Sequence, residues 1–240
     1  MTTTSTPQHA ATVRVGSPRD QRMIGWGLIT LFVVFAGLVV AQATSATTAR
    51  IVEHTGGAGL IGSMDASEYA SIVAIEYASA PSILRIAASV LLWAGFATLV
   101  TMAARRIGTP PLALVALVAS WIAFAAWIVT VTLELLLVLE GGQGFSSGFW
   151  TWWFWGQAAV SIAAAGAIGA LALSVRHLHA WWRISFAALA GLCVVGAVTV
   201  EIPPAASIVL GAALGVALVL TARARSRANS AADLRGAQNR

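Results

Sequence analysis

Apolar residues in this chain come in long unbroken runs, unlike the alternation of a half-buried strand or the single stripe of a surface helix. Crossing roughly 30 Å of hydrocarbon by helix takes about 20 apolar residues. Six runs approach or exceed that length, at 24–41, 83–104, 112–139, 149–175, 184–200 and 205–222. Prolines punctuate them: Pro110 and Pro111 stand before the third run, and Pro203 and Pro204 separate the last two. Proline cannot continue a helix but suits its first turn. The pattern predicts an all-α polytopic membrane protein. Six transmembrane helices make a bundle over 23–222, flanked by tails at 1–22 and 223–240. The long outer loop 43–82 is expected to hold one further helix outside the membrane.

Composition removes the soluble alternative. Of 240 residues 58% are apolar and 10% are charged, with a mean hydropathy of +0.83. Soluble domains usually carry about 25% charge, so the lipid bilayer is the expected solvent. All 14 basic residues are arginine, and without lysine no Schiff base can form. If the spans alternate, one set of span ends carries 12 arginines against Asp20 and Asp233, a net +10. The other carries Arg50 and Arg85 against seven glutamates and aspartates, a net −5. Positive ends stay cytoplasmic. Both termini are therefore expected inside, in a cell (inner or plasma) membrane, and the basic excess marks topology, not nucleic-acid binding.

The N-terminus also has traits of a cleavable signal peptide, with a basic start, an apolar stretch and an A-x-A triplet at Ala41, Gln42 and Ala43. Its apolar run of about 18 residues exceeds the usual 7–15, so the first span is expected to be retained. Tryptophan favours the two water interfaces. Trp26, Trp181 and Trp182 lie near the expected inner face, and Trp150, Trp152, Trp153 and Trp155 near the outer one. Trp93, Trp121 and Trp127 fall inside spans and are expected to pack between helices. In the outer loop, Asp65 and Glu68 fit a capping box. The helix they start is expected to end at Pro81, with Tyr69, Ile72, Val73 and Ala80 on one side.

Glu134 is the most informative single residue, lying about five residues, or roughly 7 Å, inside the end of the third span. Ionisable groups at such depth usually have a partner or a function. Arg85 is the expected partner, and Thr130 and Trp127 share the Glu134 side of the helix at offsets of four and seven. Span four opens with the aromatic run Phe149, Trp150, Thr151, Trp152, Trp153, Phe154 and Trp155. Aromatic faces bind organic cations. Glu134 or Glu140 would supply the opposite charge, and Gln157 with Ser161 a polar handle one turn apart. The candidate ligand residues are thus Glu134, Arg85, Trp127, Thr130, Trp152, Trp153, Gln157 and Ser161. Small residues recur at four-residue spacing at Gly166, Ala170 and Ser174, and at Ser207, Gly211 and Gly215. Such stripes let helices approach closely, either within the chain or at a seam with a second copy or another membrane protein.

Other chemistry is thinly represented. Gly144, Phe145, Ser146, Ser147 and Gly148 match G-x-S-x-G. A serine ahead of a fourth span resembles the rhomboid family of intramembrane proteases over these few residues. That resemblance implies a histidine in a later span, but the sixth span has none, and His177 and His179 fall at the opposite face. The segment is read as a Gly/Ser turn, and no catalytic residue is assigned. Arg176 and Arg183 beside His177 and His179 repel a cation, and Glu53, His54, Asp65 and Glu68 fit no ligand signature, so no metal is expected. No histidine occupies a span to hold haem, and the single Cys193 allows no internal disulfide. No nucleotide motif appears and no cofactor is expected. The expected function is transport or solute binding, as a protein acting alone or as the membrane component of a larger transporter. The alternative is a non-catalytic structural or assembly subunit.

Overall fold

The computed structural model describes residues 16–54, 65–77, 80–140, 148–199 and 204–238, with side chains except at 46, 47, 51, 54, 66, 75–77, 80–82 and 233–238. The Gly/Ser segment 144–147 lies outside these residues. Among them are eight helices: α1 (Pro18–Ala43), α2 (Ala46–His54), α3 (Ala66–Tyr77), α4 (Ala80–Arg106), α5 (Leu112–Leu139), α6 (Phe149–Ser174), α7 (Ala180–Thr199) and α8 (Ala205–Gln238). Six of them, all but α2 and α3, are long and apolar enough to cross a membrane. The protein is an all-α, multi-pass integral membrane protein.

Local chemistry sets the helix ends. Ser17 caps α1, its Oγ accepting from the Asp20 amide at 3.1 Å and donating to the Asp20 carboxylate at 2.7 Å, with Pro18 in the first turn. Asp65 stands before α3 and accepts from the Ser67 amide at 3.3 Å. The last carbonyls of a helix lack partners of their own, and those of α6 find them elsewhere. The Thr109 amide and hydroxyl both donate to the Ser174 carbonyl, at 3.1 and 3.0 Å, and Arg183 Nη2 donates to the Leu173 carbonyl at 2.6 Å.

Helix α6 is the centre of the bundle, packed on α4, α5, α7 and α8, while α1 lies against α8 and α4. Its run from Ala163 to Ala172 is mostly alanine and glycine, and small side chains let neighbouring backbones come close. Val160, Ala164, Ala165, Ile168 and Leu171 of α6 join Ile24 and Leu28 of α1, Phe96 and Val100 of α4 and Leu214 and Leu218 of α8 in one buried core. Helices α1 and α8 also approach closely. A Cβ added at Gly25 would stand 2.6 Å from the Gly215 carbonyl oxygen, and one at Gly215 would stand 2.6 Å from that of Gly25. Ser207, Gly211 and Gly215 are all buried, so the stripe is taken up inside the chain.

Three features depart from the sequence pattern. Helix α2 occupies a stretch with no apolar run. Pro81 does not end α3, which stops at Tyr77; it sits in the first turn of α4, where a missing amide hydrogen is tolerated. Ala80 likewise belongs to α4. Beyond the sixth apolar run, α8 continues through its arginines to Gln238, so most of the expected tail is helix.

Candidate functional site

The candidate site forms at the end of the bundle opposite the termini, where α3 lies against α5 and α4. Tyr69 and Val73 are one turn apart on α3 and both buried, with Ile72 half-buried beside them. They meet Leu137 of α5 and Phe149, Trp150 and Trp153 of α6 in a second, smaller core. The Tyr69 ring lies 5.1 Å from that of Trp150 and 6.0 Å from that of Phe149, both tilted, and Trp150 meets Trp153 edge-on at 6.0 Å. These are the separations at which aromatic pairs attract.

The Tyr69 hydroxyl donates to Glu134 Oε1 at 2.5 Å. A loop helix thus reaches across 65 residues of sequence to the half-buried carboxylate of α5. A hydrogen bond to a charged group contributes about 1.5–3 kcal/mol, and burial of either group alone would cost a comparable amount. In the sequence Tyr69 reads as an apolar member of a helix face. A hydroxyl on that face, opposite a carboxylate needing a donor, was the available signal.

One turn deeper, Thr130 is 2% exposed and its hydroxyl donates to the Ala126 carbonyl at 2.9 Å. Gly156 of α6 lies directly against it, since a Cβ there would be 2.5 Å from Thr130 Oγ1. At the next turn Trp127 Nε1 donates to Ser89 Oγ of α4 at 3.3 Å, and its ring lies 5.9 Å from that of Trp93. Glu134, Thr130 and Trp127 therefore form a polar ladder down one side of α5. Arg85 is half-buried in the second turn of α4, Gln157 is half-buried on α6, and Ser161 is 3% exposed one turn further in.

The aromatic run divides by helical spacing. Phe149, Trp150 and Trp153 turn inward onto Tyr69, whereas Trp152 is 62% exposed and Trp155 is also exposed on the other side. Trp152 is thus not brought to Glu134. Of the three tryptophans expected between helices, Trp93 is buried and Trp127 half-buried, but Trp121 is exposed. Trp121 is held at its edge by an Nε1 hydrogen bond to Thr101 at 3.0 Å and meets the Phe124 ring edge-on at 5.8 Å.

The opposite end is polar in a different way. Arg106 pairs with Asp20 at 2.7 Å. Arg22 Nη2 donates to the Ser226 hydroxyl, and Arg225 Nη1 reaches Gln21 Oε1 at 3.4 Å, so two polar rungs join the start of α1 to the extension of α8. His177, in the turn between α6 and α7, is held below its ordinary pKa by burial and then by the positive charge of Arg225. In the sequence Arg22 counts as one of the twelve span-end arginines, and nothing local marks Gln21 or Ser226 as hydrogen-bond partners. Among the described residues no group of three His, Cys, Asp or Glu side chains is placed to hold a metal ion. No protein-family model, no curated protein and no solved structure matches the chain.

Proposed function

We propose that the chain is a solute-binding or transport protein of the cell membrane, with α3 as the cover over an outer site and both termini cytoplasmic. The hydrogen bond from Tyr69 of α3 to Glu134 of α5 carries this proposal. It joins a helix outside the spans to an ionisable group inside one, the kind of group that marks solute pathways in membrane bundles. A small organic cation suits the surroundings, because Trp150 and Trp153 pack in one cluster with Tyr69, whose hydroxyl holds the carboxylate. Thr130 and Gln157 add polar atoms at deeper levels. The alternative of an assembly subunit rests on the outer helix and the small-residue stripes, of which Ser207, Gly211 and Gly215 are buried within the chain.

Purification in native lipid, followed by small-molecule mass spectrometry of wild type and Glu134→Gln, tests the site. The expected result is an organic cation retained by wild type and reduced at least about tenfold in the variant. Identical small-molecule content in two folded proteins would overturn the proposal. The charge asymmetry of the span ends supports the orientation. Protease or label access to a C-terminal tag, from one side of sealed vesicles only, checks it.

A further inference from the structure

At the end of the bundle that carries the termini, Gln21 is fully buried and its side-chain Nε2 has no hydrogen-bond partner. The amide cannot be turned over to relieve this. Its Oε1 already accepts from Arg225 Nη1 at 3.4 Å, and reversal would set an NH2 group against a guanidinium. Next to it in sequence, Arg22 Nε is also buried without a partner, although Nη2 of the same side chain reaches Ser226. Two buried donors beside two guanidinium groups lack an acceptor. Among the described side chains Asp20 is the carboxylate at this end, and it is engaged by Arg106 at 2.7 Å and by Ser17 at 2.7 Å. Gln21 and Arg22 lie in the first turns of α1, where the helix dipole also favours negative charge.

We propose that Gln21, Arg22 and Arg225 form a binding site for a phosphate group, seated between the start of α1 and the extension of α8. A phosphate offers several acceptor oxygens and the negative charge that arginine forks match in geometry. The depth also suits it. Arg22 stands two residues before Ile24, where the first apolar run begins, and Arg225 three residues after Ala222, where the last one ends. That is the level of lipid phosphates, where basic pockets between helix ends hold anionic headgroups. A free phosphate would use the same atoms.

The test is the thermal unfolding midpoint of the delipidated full chain in neutral detergent, titrated separately with phosphatidylglycerol and with inorganic phosphate. Phosphatidylcholine and chloride at matched ionic strength serve as controls. Wild type is expected to show a saturable rise with at least one phosphate probe beyond its control. Arg22→Gln with Arg225→Gln should weaken that response at least tenfold. Gln21→Leu, which keeps every charge and nearly the same volume, should weaken it at least threefold, and it serves as the deciding variant if the arginine double variant does not fold. A response to phosphatidylglycerol alone identifies a lipid headgroup, and one to inorganic phosphate alone identifies a soluble phosphate. The proposal is overturned by a wild type that responds no more to either probe than to its control, or by variants that respond as wild type does.

Discussion

The two ends of the bundle are closed by different means. At the end with the termini, α1 and α8 meet backbone to backbone at Gly25 and Gly215, and the rungs Arg22–Ser226 and Arg225–Gln21 continue the contact beyond the spans. At the other end the cover is a 12-residue helix, held by a small aromatic core and the bond from Tyr69 to Glu134. Opening the first end requires separating two long transmembrane helices. Opening the second, among the described residues, begins with releasing the short helix α3, which α2 also touches. Regions with few buried contacts open at a fraction of the global free energy, so the fold assigns rigidity to one end and ease of opening to the other.

The comparison is broken most severely at the glycine crossing. Gly215→Leu forces a side chain into the Gly25 carbonyl, 2.6 Å from where its Cβ would sit. The expected cost is about 3 kcal/mol or more, as for severe overpacking, seen as loss of monodisperse protein in size-exclusion chromatography. A variant with an unchanged unfolding midpoint would remove the rigid end from the picture. Next in size is Tyr69→Phe, expected to cost about 1–3 kcal/mol and to speed hydrogen exchange over 66–77 while leaving α6 protected. If α3 exchanges as slowly as the start of α1 around Gly25 in wild type, the two ends do not differ. Asp20→Asn should cost below about 1 kcal/mol, because Arg106 is 52% and Asp20 25% exposed and water screens such pairs. Thermal unfolding in low and high salt checks it, the wild-type advantage shrinking as salt rises.

The smallest effect concerns acid. Because the folded state depresses the His177 pKa, the unfolded chain takes up its proton first as pH falls. Stability from this group is complete above the ordinary histidine value of about 6.5 and declines as pH drops from there toward the lower folded value. His177→Gln should flatten that decline in unfolding midpoints measured between about pH 7 and 5. A steeper slope in the variant would mean that the sign is reversed.

The spans were legible because length and apolarity alone decide whether a helix can cross hydrocarbon. Helix α2 was not, since Ala46–His54 mixes threonine, arginine and glutamate without an apolar run. The extension of α8 was hidden for a related reason: hydropathy falls after Ala222, but the alanine and arginine that follow are good helix formers. At the site, the depth of Glu134 pointed to the right helix and level. Its bond to Tyr69 depends on how α3 folds back over α5, and 65 residues of separation leave no local trace of that. Gly215 was visible as one of a stripe, whereas its counterpart Gly25 stands among larger residues.

The length of α8 has a mechanical side. Its 34 residues form one continuous helix, about 50 Å long at 1.5 Å per residue, against a hydrocarbon layer of roughly 30 Å. About 20 Å of it therefore projects from the membrane as a rigid spar rooted in the transmembrane section. A tilt of that section by about 10° sweeps the free tip sideways by roughly 3–4 Å, and any rotation about its axis turns the arginines at 223, 225 and 227 through the same angle. Small tilts of the transmembrane section thus become larger displacements at the far end of α8.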